Sequence, residues 1–110
     1  MKFSVCHGKI RLRVQVLPNV HEVHKAYHEG ISKRNGSYVY SFFESEAPGS
    51  TVVGTVYFAE GSRLFELVPH EVGHALLEYF KSVDHADDEK FCTVLGLLTA
   101  RILDRIDPEH

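Results

Sequence analysis

The sequence predicts an α+β domain: a small, mostly antiparallel sheet with three helices, in the order β-β-α-β-β-α-α. Three observations carry that expectation. Apolar residues alternate with a period of 2 through the first seventeen positions, and β-branched and aromatic residues crowd positions 38–43 and 51–59. From Ser62 onward the period changes to 3.6. The chain has 110 residues, 44% hydrophobic and 25% charged, which suits one globular unit, so residues 1–110 are read as a single domain.

Each element follows from a local signal. Ile10, Leu12, Val14 and Val16 alternate with Arg11, Arg13 and Gln15, as in a strand with one wet face. Phe3 and Val5 form a shorter partner, with His7-Gly8 at hairpin spacing. Asn19, with Glu22 three residues later, opens a helix that places Val20, Val23, Tyr27 and Ile31 on one stripe and stops at Gly30. Lys33 to Ser37 is turn chemistry centred on Asn35-Gly36. Tyr38–Phe43 and Thr51–Ala59 read as an antiparallel pair around the loop Glu46–Ser50, and Gly54 suggests a bulge or a close backbone approach. Leu64, Leu67, Val68, Val72, Ala75, Leu76, Tyr79 and Phe80 trace a helical face that Pro69 either kinks or restarts. Ser82–Ala86 breaks the pattern. A last helix carries Phe91, Leu95, Leu98, Ile102 and Ile106 and ends before Pro108. The helices are expected on one face of the sheet.

Composition excludes several classes of function. A net charge of -3 argues against nucleic acid as a partner, since such binders carry a basic face. No apolar run approaches the roughly 20 residues of a spanning helix, and the start lacks a secretory segment. Cys6 and Cys92 lie far apart and read as reduced, mostly buried thiols of a cytoplasmic protein.

His70-Glu71-Val72-Gly73-His74 is an H-E-x-x-H sequence inside the amphipathic run. Residues four apart sit one helical turn apart on the same face, so both imidazoles can reach one zinc ion. Glu71, about 100° round the helix, can address a water on that metal and take its proton as the water attacks a carbonyl. With eight histidines in the chain, the pattern arises by chance in only about one such sequence in twenty.

Val68 to Leu76 resembles the active-site helix of the H-E-x-x-H zinc metallopeptidases called zincins. The likeness is to their minimal members: SprT-like proteins, ImmA/IrrE-type peptidases and short phage-encoded proteins. It covers about residues 51–106. Residues 1–50 resemble nothing identifiable. The metzincin extension is absent, because Leu77 and Phe80 occupy the positions of its glycine and third histidine. The resemblance implies a Zn2+ cofactor, a protein or peptide substrate, and the cytoplasm of a bacterium or phage-infected cell. It also implies that His70 and His74 bind metal and that Glu71 is the catalytic base.

Glutamate-type zincins (gluzincins) take a third ligand from the helix after the motif, and here the matching residue is Glu89, seven residues before Gly96. On a helical wheel Cys92, Thr93, Gly96 and Ala100 share the face of Glu89, and a stripe of small residues would let two helices approach closely. His85 is the rival ligand and Asp88 a weaker one. Tyr79 or His85 are the candidates for stabilising an oxyanion. His21, His24 and His28 read as a solvated helix flank, while His7 and His110 carry no signal. By the same resemblance the strand Thr51–Ala59 is the sheet edge to which an extended peptide would add. The expected function is a zinc-dependent metallopeptidase; the alternative is a catalytically silent zincin-fold module that binds metal and acts through another protein.

Overall fold

Four strands and three helices follow one another in the expected order, in a computed structural model that describes residues 1–30, 39–47, 49–81 and 88–107. They are β1 (Lys2–His7), β2 (Ile10–Leu17), α1 (Val20–Gly30), β3 (Ser41–Ser45), β4 (Gly54–Ala59), α2 (Leu64–Lys81) and α3 (Asp88–Ile106). The strands form one sheet ordered β1-β2-β4-β3. β1 and β2 are an antiparallel hairpin, turned at Gly8 with a φ of 60° that glycine adopts without steric cost. β3 and β4 are antiparallel, with Ser41 opposite Phe58 and Ser45 opposite Gly54. β2 and β4 run parallel, Val14 opposite Val56.

That parallel pairing places β4 inside the sheet, not at its edge as the resemblance implied; the edge beside α2 is β3. The physical reason lies in the continuous run Val56-Tyr57-Phe58-Ala59. A half-exposed strand alternates apolar and polar residues, whereas this one is apolar on both faces and must be covered on both. Val56 and Phe58 face the main core with Leu12, Val14, Val72, Leu76, Leu98 and Ile102. Tyr57 and Ala59 face a second cluster with Val23 of α1 and Phe42 of β3. α1 therefore covers one face of the sheet while α2 and α3 cover the other, so the expectation of all helices on a single face is corrected.

Local chemistry explains the boundaries. The Asn19 side chain accepts the Glu22 N–H at 3.0 Å and caps α1. β3 and β4 begin later than their residue types suggest, at Ser41 and Gly54. Ahead of β4 the Ser50 hydroxyl accepts the Val52 N–H in a local turn. A side chain at Gly54 would collide with the Glu44 carbonyl and the Phe43 ring, so this glycine permits the close approach of β3. α2 is continuous through Pro69, which lies early in the helix and removes one backbone donor there. Cys6 and Cys92 are free thiols, as expected, but exposed instead of buried. Among the described residues no helix is long and apolar enough to cross a membrane.

Candidate metal centre

α2 presents His70 and His74 on its outer side at the rim of a cleft of about 570 Å³, bounded across from the helix by Ser41, Phe42 and Phe43 of β3 and by Tyr27 of α1. Burying Val68, Val72, Ala75 and Leu76 fixes the rotation of the helix. That rotation leaves both histidines exposed, and their Nε2 atoms lie 3.2 Å apart. Two zinc–nitrogen bonds of about 2.0–2.1 Å at a tetrahedral angle put their nitrogens about 3.3 Å apart. The 3.2 Å contact is itself a ring-to-ring hydrogen bond, and its length is close to the spacing that one zinc ion would need. Ligand atoms of His70, Glu71 and His74 all lie within 4.8 Å of one another.

Glu71 differs from the other charged side chains. It is only 4% exposed, the single buried charged residue among those described. A buried carboxylate is costly unless hydrogen bonds replace its water. The Ser41 hydroxyl, on the first residue of β3, donates to Glu71 Oε2 at 2.6 Å. At 2.6 Å this lies at the short end of the range for hydroxyl-to-oxygen hydrogen bonds. The histidines, the carboxylate and the edge strand are thereby linked in one small volume.

The other sequence candidates are placed differently. Glu89 is exposed on the first turn of α3 and does not belong to the His70–Glu71–His74 group. The stripe argued to bring it close, Cys92, Thr93, Gly96 and Ala100, faces solvent; α3 packs through Val94, Leu98 and Ile102 instead. Those larger residues bury more apolar area, which outweighs the close approach that small ones allow. His85 and the side chain of Asp88 lie outside the described residues. Tyr79 packs on the main core and borders a neighbouring cleft beside Glu78; it does not line the cleft of the histidine pair.

His24 is more than a solvated flank. It is half-buried, accepts the Val39 N–H through Nδ1 at 3.3 Å, and meets the His28 ring edge-on with centroids 4.4 Å apart. Burial, then the neighbouring charges of His28 and His21, holds its pKa below the ordinary value.

Two site residues escaped the sequence reading. Ser41 gave no signal, because a serine in a strand reads as neutral. Tyr27 lies on the apolar stripe of α1 and also lines the cleft. Compared with known families, curated proteins and solved structures, the chain matches none.

Proposed function

We propose that the protein is a zinc-dependent peptidase in which His70 and His74 bind the metal and Glu71 is the general base. The observation that carries this reading is the 3.2 Å spacing of the two Nε2 atoms beside a buried carboxylate. A site needed only for structure has no use for a buried acid next to its ligands, and the acid costs stability where it stands. Bound zinc would supply Lewis acidity and a strong water-derived nucleophile near neutral pH. Glu71 would accept the proton of the attacking water and pass it to the leaving amine. An extended peptide would add to the outer edge of β3, to which no described strand is joined, with its backbone held beside the histidine pair. Glu89 remains the proposed third protein ligand on resemblance alone.

Two measurements test the reading. Protein purified without a nickel column should carry about one zinc per chain. Glu71→Gln should keep that zinc while lowering cleavage of an unstructured protein by about 10²–10⁴-fold. The open position of both histidines, with no third ligand gathered among the described residues, favours one competitor: a metal-bearing module that acts by binding another protein. Bound zinc with no cleavage, or with cleavage unchanged in Glu71→Gln, would establish that competitor instead.

A further inference from the structure

The Ser41–Glu71 contact deepens the peptidase reading and rests on it. We propose that Ser41 is the positioning residue for Glu71, and that the edge strand thereby sets where the base stands relative to a bound peptide. A glutamate has three side-chain torsions, and one at a helix surface samples several rotamers. Glu71 is instead buried between α2 and β3, with Oε2 taken by the Ser41 hydroxyl at 2.6 Å. That bond satisfies one carboxylate oxygen and fixes the plane of the group, while the carboxylate stays within 4.8 Å of the histidine nitrogens.

The location of Ser41 gives the bond its consequence. Ser41 faces α2 from the first residue of β3, its backbone paired opposite Phe58 of β4. Its strand is also the edge beside the histidine pair. A peptide pairing with β3 would therefore share a rigid frame with the hydroxyl that orients the base. The scissile carbonyl and the proton acceptor would be aligned by the same strand, a placement that intramolecular reactions show to govern rate. Ser41 needs no contact with the substrate for this. It acts through Glu71.

Cobalt(II) in place of zinc, together with steady-state kinetics, tests the proposal. Ser41→Ala should take up cobalt as the wild type does but change the visible absorption bands, because the carboxylate beside the ion is no longer held. Glu71→Gln should change them as well, and Ser41→Thr, which restores the hydroxyl on a strand-compatible side chain, should return the wild-type spectrum. In the zinc form Ser41→Ala should lower kcat by about 10–100-fold with KM unchanged, Ser41→Thr should recover most of it, and Ser41→Ala should add nothing in a Glu71→Gln background. Wild-type bands in Ser41→Ala, or an equal loss in Ser41→Ala and Ser41→Thr, would overturn the positioning role alone. A wild type that binds no cobalt overturns the metal reading, and this proposal with it. Cobalt bands that respond to Ser41→Ala in a protein without cleavage would uphold the hold on Glu71 and overturn only the peptidase reading.

Discussion

Two pairs of histidines sit at i, i+4 spacing on opposite faces of the sheet. His24 and His28 on α1 meet edge-on at 4.4 Å between ring centroids; His70 and His74 on α2 meet edge-on at 4.7 Å. Spacing alone does not separate them. Their surroundings do. His24 commits Nδ1 to the Val39 backbone, and no carboxylate joins the pair in a ligand cluster among the described residues. His70 and His74 turn their Nε2 atoms toward each other beside a buried acid. A helical histidine pair is thus common geometry, and the neighbours decide whether it becomes a metal site.

The sharpest way to break that comparison is to remove one histidine from each pair. His74→Ala should weaken zinc binding by about 10²–10³-fold, an even quarter share of the roughly 10–16 kcal/mol of a four-ligand zinc site. His28→Ala should leave zinc affinity unchanged. Equal losses, read by competition with a chelator, would make the α1 pair a ligand set too. Comparable in size is a packing change on the α2–α3 face: Leu98→Ala should cost about 2–5 kcal/mol in denaturant unfolding yet retain one zinc per chain.

A pH effect should come from α1. Because the folded state lowers the His24 pKa from 6.5, the neutral ring is the favoured form, and the unfolded chain binds the proton more readily. This contribution to stability is complete above about pH 6.5 and is lost as pH falls through the lowered folded value. His24→Gln should therefore flatten the fall of Tm with pH in this window, and an unchanged slope would remove His24 as its source. The smallest expected effect is Glu89→Ala, within about ±0.5 kcal/mol of stability, as for other exposed positions. Its zinc affinity, set against His74→Ala, decides whether Glu89 is a ligand at all.

Most of the fold was legible because periodicity reports burial directly. The alternation in β2 and the stripe of α3 gave element type and facing, and Asn19 capped α1 as its spacing indicated. Strand order was not legible, since which strands pair depends on contacts distant in sequence. One clue was present: the unbroken apolar run of β4 indicated a strand covered on both faces. At the site, the H-E-x-x-H spacing was sufficient to place His70, Glu71 and His74 together, because it spans one turn of helix. Ser41 lies thirty residues from its carboxylate, and nothing local marks it. The small-residue face of α3 misled because small residues permit a close approach without driving one, and the apolar side of the same helix buries more area.

The two borders of the sheet have been given different fates. At β1, Arg101 of α3 donates to the Cys6 carbonyl and Arg105 lies over the Phe3 ring at 4.6 Å. A bulky, charged helix so placed discourages a second chain from extending the sheet on that side. β3 has only five residues, Ser41–Ser45, and an outer rim to which no described strand is joined. So short a template would register only a few residues of a visitor, too few to seed open-ended stacking of copies. Growth of the sheet is discouraged on one flank, while the other would give a visiting strand only a short template.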